Sequence, residues 1–158
     1  MNGIIRKMSV FDLNEVLLIE KISFKAKWTI DDFIYELIIN KKADYFVYKI
    51  NSVVIGYIGV WLLDGELHIS NLAVDPSYRK KGIAIELVNQ IIKMANSLNI
   101  RMISLEVRIS NDKAIKLYKK IGFRKTDILE NYYELEDGVR MVLEIGGKVN
   151  AGKKEDES

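Results

Sequence analysis

Apolar positions along the chain change period several times, and each change marks an element. Residues 3 to 8 (GIIRKM) suit a short strand, and Phe11 to Phe24 follow at helical spacing, with Val16, Ile19 and Phe24 among the apolar positions and Asp12 as the cap. A second helix begins at Thr29, where Thr-Ile-Asp-Asp has the form of a capping box with aspartate in place of glutamate, and runs to about Ile39. From Asp44 to Val74 the pattern is that of strands. DYFVYKI, VVIGYIGVWLL and ELHISNLAV are separated by Asn51-Ser52 and by Asp64-Gly65, and Asp-Gly between apolar runs is a strong hairpin signal. The three runs predict an antiparallel meander.

After Pro76 the period returns to 3.6. Ile83, Leu87, Val88, Ile91, Ile92 and Ala95 share one face of a helix that ends near Asn96 to Asn99. RMISLEVR (residues 101–108) alternates again, with Ile103, Leu105 and Val107 on one side and Met102, Ser104, Glu106 and Arg108 on the other. A helix between two strands is a crossover, so this strand is expected to run parallel to the one ending at Val74. Ser110 or Asn111 then caps a short helix with Ala114, Leu117, Tyr118 and Ile121 on one face and Gly122 as its stop. FRKTDILENYY and VRMVLEI close the pattern as a pair of strands around Glu136-Asp137-Gly138. No internal repeat or linker interrupts residues 1–146, and residues 147–158 are polar and aperiodic, which predicts a disordered tail.

Composition narrows the chemistry. The chain has 158 residues, the length of one domain, and 24 Lys plus Arg balance 22 Asp plus Glu. That balance lacks the excess of positive charge of a protein that binds nucleic acid through its whole surface, so any anion must be held locally. Cysteine is absent, which excludes disulfides, thiolate metal sites and cysteine nucleophiles, and a single histidine argues against a zinc site. No metal is expected. No run of 18 apolar residues occurs, so the expectation is a soluble cytoplasmic protein without a membrane partner.

One local concentration of charge stands out. Arg79-Lys80-Lys81-Gly82-Ile83-Ala84 joins the end of a hydrophobic strand to the start of a helix. Helix N-termini have unpaired N–H groups and partial positive charge, a glycine lets the backbone approach a ligand, and Ala84 does not obstruct it. The stretch reads as a phosphate cradle, although Arg-x-x-Gly-x-Ala by itself is a weak pattern.

The order helix, helix, three-stranded meander, basic glycine turn, helix, strand, helix, two strands resembles the GNAT superfamily of N-acetyltransferases. RKKGIA (79–84) matches that family's acetyl-CoA signature, Gln/Arg-x-x-Gly-x-Gly/Ala. Within the superfamily, NLAVDPSYRKKGIA, SLEVRISNDKAIKLYKKIGF and NYYELEDGVRM resemble the bacterial ribosomal-protein alanine N-acetyltransferases and the archaeal N-terminal acetyltransferases. The likeness covers about residues 3 to 145. It implies an α+β fold: a central, mostly antiparallel twisted sheet of six to seven strands, with a parallel pair at the cofactor cleft and four flanking helices. It also implies acetyl-CoA as co-substrate. Backbone groups of Leu72, Ala73 and Val74 would meet the pantetheine arm, and an N–H near Val74 would polarise the thioester carbonyl. Arg79, Lys80, Lys81, Gly82, Ile83, Ala84 and Ile85 would hold the phosphates, and Asn111 would hydrogen-bond the cofactor arm. Glu106 would act as general base, directly or through water, and Tyr118 as general acid toward the departing thiolate.

The residues themselves are compatible with those roles. Glu106 interrupts an apolar strand and needs a polar cleft, the alternative being a solvated strand carboxylate. Tyr118 shares a face with Leu117 and Ile121, the alternative being a core tyrosine. An α-amine with pKa about 7.7–8.0 is roughly one-tenth neutral at pH 7, whereas a lysine amine near 10.4 is neutral in about one molecule in 2,500. A weak base therefore suffices for an N-terminal substrate, and direct attack on the thioester needs no covalent enzyme intermediate. Trp28 is read as close to a peptide groove, and Tyr132 and Tyr133 as lining its entrance or packing within a strand. His68 is read as structural. Lys27 and Thr29 around the tryptophan, Glu130 and Asn131 before the tyrosines, and Gly138 in place of alanine depart from the family on the substrate side. The expected partner is a protein or peptide N-terminus, ribosomal or other, with no direct nucleic acid. The alternatives are a lysine or polyamine acetyltransferase of the same fold and a non-catalytic CoA-binding module.

Overall fold

The computed structural model describes residues 3–24 and 27–146, so the expected tail at 147–158 lies outside the described residues. Strand β1 (Ile4–Lys7) leads into a tight turn at Val10–Asp12 and helix α1 (Leu13–Ser23). Ser9, not Asp12, makes the side-chain cap: Ser9 Oγ accepts the Phe11 N–H at 3.2 Å, and Asp12 returns the bond by accepting the Ser9 N–H at 2.8 Å. Asp12 is 3% exposed and also takes two 2.8 Å bonds from Arg6, which explains why it is unavailable to cap α1.

At Thr29 the capping box forms as expected. Thr29 Oγ1 accepts the Asp32 N–H at 3.3 Å and Asp32 accepts the Thr29 N–H at 2.8 Å, opening helix α2 (Ile30–Ile34). The helix does not run unchanged to Ile39. Residues Tyr35–Ile39 widen so that the Asn40 N–H reaches the Tyr35 carbonyl, five residues back, at 2.9 Å. Glu36, 7% exposed, sits in this wide turn and accepts a 2.6 Å bond from Trp61 Nε1. Thr29→Ala is expected to cost about 1 kcal/mol in urea unfolding; a loss near zero would show that Phe33 packing alone sets the helix start.

Strands β2 (Ala43–Ile50), β3 (Val53–Leu63) and β4 (Glu66–Val74) form the meander. Asn51 and Ser52, at φ 49° and 67°, make the two-residue turn of a twisted hairpin, and Gly65, at φ 74°, the next. Beyond the turn at Pro76–Tyr78 come helix α3 (Ile83–Ser97), strand β5 (Met102–Arg108), helix α4 (Asp112–Ile121), and strands β6 (Arg124–Leu129) and β7 (Gly138–Glu144). Asn111 caps α4 and Gly122, at φ 126°, ends it. The sheet order is β1-β2-β3-β4-β5-β7-β6, mostly antiparallel, with β4 and β5 the parallel pair the crossover requires. Strand β6 ends at Leu129, so Tyr132 and Tyr133 lie in the β6–β7 loop and not in a strand.

The chain forms two compact units. Among the described residues, the first comprises those up to Leu63 with Ile69–Ile91, and the second Asp64–His68 with 92–146. In the first, Leu13, Val16, Ile19, Phe33, Val47 and Tyr57 form a core. Phe33 is fully buried, with its ring centroid 5.1 Å from that of Trp28, 5.9 Å from Tyr57 and 6.1 Å from Tyr45. Glu20, 2% exposed, accepts from the Tyr57 hydroxyl and, at 3.1 Å, from the Trp28 N–H. In the second unit Ile103, Leu105, Val139 and Met141 are buried on the β5–β7 ladder. No helix among the described residues is long and apolar enough to cross a membrane.

Candidate active site

In the first unit, β4 ends in a turn built from short-range bonds. The Asp75 N–H reaches the Ile55 carbonyl at 2.8 Å, and Asp75 Oδ1 accepts the Ser77 N–H at 2.8 Å. Arg79 folds back, its Nε donating to the Val74 carbonyl at 2.9 Å and Nη2 to Ser23 Oγ at 3.4 Å. Arg79 therefore braces the strand end, and the Val74 carbonyl is already engaged. Lys80 and Gly82 take left-handed backbone angles, φ 64° and 84°. A Cβ built on Gly82 meets nothing within 4 Å, so the space beside the turn is open. Ile83, 1% exposed, anchors the first turn of α3, while Lys80, Lys81 and Gly82 are exposed and Ala84 and Ile85 half-buried. Open backbone, two lysines and a helix N-terminus fit a phosphate anion. Below the turn, a Cβ on Gly56 would lie 3.2 Å from the Ala73 carbonyl, so the glycine permits β3 to lie close under the end of β4. Leu72 is half-buried there, and Ala73 and Val74 are buried. Trp28 belongs to this unit, its ring set against Phe33.

In the second unit, the start of β4 and strands β5 and β7 carry a polar cluster. His68 is the ladder partner of Ser104, and Glu106 that of Arg140. Glu106 Oε1 lies 2.9 Å from His68 Nε2, and Oε2 accepts from Arg140 Nη1 at 3.4 Å. Tyr132 Oη also donates to Oε1, at 3.4 Å. Burial pushes the Glu106 carboxyl up, but the bond and charge of His68, then Arg140 and Tyr132, outweigh it and leave the group below the usual carboxylate range. Glu106 is thus a partnered anion and not a solvated strand residue.

The β6–β7 loop is held over this cluster by its own contacts. Tyr132 and Tyr133 meet edge to face at 4.9 Å, and the Arg108 guanidinium lies 4.5 Å over the Tyr133 ring. Glu136 accepts the Ser110 N–H at 2.8 Å and pairs with Arg108 at 3.4 Å. A Cβ on Gly138 would meet three atoms of Tyr132 and Tyr133 at 3.1 Å, so the two rings lie directly against this glycine. Burial, with Tyr132 and Glu106 nearby, pushes the Tyr133 hydroxyl up to about 12.

Tyr118 lies on α4, 9% exposed, its ring 5.6 Å from that of Phe123. Burial raises its hydroxyl well above the ordinary tyrosine value. Among the described residues its hydroxyl has no hydrogen-bond partner, and a buried unpaired hydroxyl costs about 1–3 kcal/mol. Asn111 Oδ1 is used in capping the Ala114 N–H at 3.2 Å, so its amide nitrogen is the end available to another molecule. Among the described residues no group of three or more His, Asp or Glu side chains is arranged to hold a metal ion.

The sequence reading missed His68, Arg140, Ser104 and Glu66 as parts of the site. The outward face of β5 was legible from its alternation, but the strand pairing that sets Arg140 and His68 beside Glu106 is a long-range property.

Comparison with known proteins shows the family. Residues 13–123 match the model of the acetyltransferase (GNAT) family. The chain is 34% identical over 132 residues to a ribosomal protein bS18-alanine N-acetyltransferase of Haemophilus ducreyi, covering 82% of this chain and 88% of the relative. It is 30% identical over 142 residues to an N-alpha-acetyltransferase of Sulfurisphaera tokodaii, covering 82% and 84%. The crystal structure of the ribosomal-protein-S18-alanine N-acetyltransferase from Escherichia coli superposes with a TM-score of 0.83 at 27% identity, over 96% of this chain and 97% of that one. The chain belongs to the acetyltransferase (GNAT) family.

Proposed function

We propose that residues 1–146 form one catalytic domain that transfers the acetyl group of acetyl-CoA to the N-terminal α-amine of a protein, with a ribosomal protein as the first acceptor to test. The observation that carries this reading is the partnered Glu106. A carboxylate joined to His68 at 2.9 Å is a proton acceptor with a second group to share the charge. The α-amine needs no stronger base, because an appreciable fraction is neutral near pH 7.

Acetyl-CoA supplies the acetyl group as a thioester, which the acceptor amine cleaves directly. The residues of this chain hold and orient. The turn at Arg79–Ile85 takes the phosphates on backbone N–H groups of 80–85, with Lys80 and Lys81 adding charge. Leu72, Ala73 and Val74 present the end of β4 to the pantetheine arm. Glu106, with His68, receives the proton that the nitrogen sheds. Tyr118 offers its hydroxyl proton to the thiolate, and burial keeps that hydroxyl protonated until the thiolate forms beside it. Trp28, Tyr132 and Tyr133 contact the acceptor chain.

A polyamine or lysine acceptor is less well supported. Glu66 and Glu106 are both paired, with Arg140 and with Arg140 and His68 respectively, so the cluster is not the acidic wall a polycation requires. Gly82→Val is expected to raise KM for acetyl-CoA about tenfold with little change in kcat, because a β-branched residue in the left-handed region costs roughly 1–2 kcal/mol and fills the open side. An equal fall in kcat alone would move the turn's role away from cofactor binding.

The function is tested by mass spectrometry of peptides that differ in their first residue, with an N-terminally blocked, lysine-containing peptide alongside. One added acetyl group on free α-amines supports the reading. Acetylation of the blocked peptide alone indicates a lysine acetyltransferase, and tight CoA binding with no transfer indicates a small-amine enzyme or a binding module.

A further inference from the structure

Asn71 is 6% exposed on β4, and one end of its side-chain amide is held by a residue two strands away. Strand β3 lies between β2 and β4, and Gly59 on β3 is the ladder partner of Tyr45 on β2. A Cβ on Gly59 would overlap the Tyr45 ring, so the glycine lets that ring lie across β3 and set its hydroxyl on β4. Tyr45 Oη donates to Asn71 Oδ1 at 2.9 Å, and Ser70 Oγ lies 3.1 Å from the same hydroxyl. Tyr45 has one hydroxyl proton, which goes to Asn71, so Ser70 is the donor to Tyr45. The row of bonds runs from Ser70 through Tyr45 and stops at the amide. Among the described residues Asn71 Nδ2 has no hydrogen-bond partner, and a buried unpaired donor costs about 1–3 kcal/mol.

The amide's partners lie on the face of the sheet away from the basic glycine turn. Tyr45 and Ala73 belong to the core that contains Leu13, Val16, Ile19 and Phe33 of α1 and α2, and the Trp28 ring lies 6.2 Å from that of Tyr45. Helix α3, which starts at the glycine turn, covers the other face. There Tyr48 donates to Glu86 at 3.2 Å, and a Cβ on Gly56 would meet Leu87 and Ile83 at 3.4 and 3.5 Å. Asn71 also directly precedes Leu72, Ala73 and Val74, the strand end read as meeting the pantetheine arm. An amide donor at this position is therefore beside the thioester's expected place, on the side of Trp28. In a peptide, the polar group nearest the α-amine is the carbonyl of the same residue. A lysine ε-amine or a polyamine has no carbonyl at that distance.

We propose that Asn71 Nδ2–H donates to the carbonyl oxygen of the acceptor's first residue, and that this bond selects α-amines over the side-chain amine of lysine. This rests on the reading of the chain as an N-terminal acetyltransferase. The bond fixes the carbon that carries the amine, so it orients the nitrogen as well as identifying it. A buried donor left unpaired by the wrong substrate is what makes such a site selective. Tyr45 and Ser70 are positioning residues that hold Oδ1, so that Nδ2 is the end presented, and Gly59 makes room for them.

The test is a cycle of two enzymes and two substrates. Asn71→Leu keeps the branched shape of the side chain and removes the donor. The substrates are an acceptor peptide and its isostere with an alkene in place of the first peptide bond, which removes the carbonyl. The unaltered protein is expected to show about tenfold higher KM for the isostere than for the peptide. Asn71→Leu should show that same higher KM for both, with KM for acetyl-CoA unchanged. The isostere's altered amine pKa affects both enzymes alike and cancels in the comparison. Preference for the peptide over an N-terminally blocked, lysine-containing one should fall by the same factor. Asn71→Asp, which keeps the oxygen that Tyr45 meets but replaces the donor, should lose as much, and it keeps the test open if the leucine variant melts early. A peptide-to-isostere KM ratio that is the same in both enzymes, or a rise confined to acetyl-CoA, overturns the proposal. So does a lower peptide KM in Asn71→Asp, which would make the free end an acceptor. If the unaltered protein acetylates no α-amine peptide, the functional reading itself fails and takes this inference with it.

Discussion

Replacing Glu106 by glutamine is expected to lower kcat for α-amine acetylation by about 10²- to 10⁴-fold, the range for loss of a positioned general base. KM for acetyl-CoA should change little, since the turn proposed to hold the phosphates lies on other residues. The low affinity of this carboxylate for protons does not weaken the case. The nitrogen becomes strongly acidic only as it bonds to the acetyl carbon, so the base is needed late and can be weak. The same substitution has a signature in stability. Because Glu106 titrates below its unfolded value, its ionised form favours the folded chain above the unfolded carboxyl pKa of about 4.3, and that contribution is lost as pH falls through the folded value. Urea unfolding between about pH 3 and 6 should therefore show a shallower acid limb in Glu106→Gln than in the unaltered protein. A kcat within severalfold of the original, with the acid limb flattened, would reduce Glu106 to a structural ion pair and return the non-catalytic reading.

The largest expected loss of stability comes from Phe33→Ala, about 3–5 kcal/mol. Phe33 is fully buried and its ring touches those of Trp28, Tyr45 and Tyr57, so truncation leaves a hole no single neighbour can fill. Domains of this size have only about 5–15 kcal/mol to lose, and the variant should be marginal at 37 °C. The change also removes the wall that orients Trp28, so any folded fraction should show a raised KM for the acceptor peptide. Phe33→Leu, which keeps most of the volume, should lose less than half as much. Equal losses for the two variants would mean that aromatic geometry, and not cavity formation, sets the cost.

Some of this was legible in one dimension because the physics is local. Thr29-Ile-Asp-Asp makes its capping box within four residues, Gly122 ends α4 through its own backbone angle, and Asp64-Gly65 turns a hairpin without help from the rest of the chain. The glycine turn at 79–84 likewise announces itself by adjacency to a strand end and a helix start. Where the reading failed, a distant partner decided. Asp12 looked like a cap but is taken by Arg6 and Ser9, and helix α2 gave way to a wide turn where Glu36 meets Trp61, 25 residues on. Tyr132 and Tyr133 read as strand, yet they close a loop over Gly138.

The sequence by itself determined the order of elements, the parallel crossover, the basic glycine turn and the exceptional carboxylate at Glu106, because periodicity, turn chemistry and helix-end signals act over a few residues. Only the tertiary structure decided what surrounds that carboxylate. Strand pairing on either side of β5 brought His68 from 38 positions earlier and Arg140 from 34 positions later to Glu106, and closed a ring of side chains through Ser104 and Glu66. Register across a sheet is set by the sum of many pairings, so no short stretch of the chain contains it.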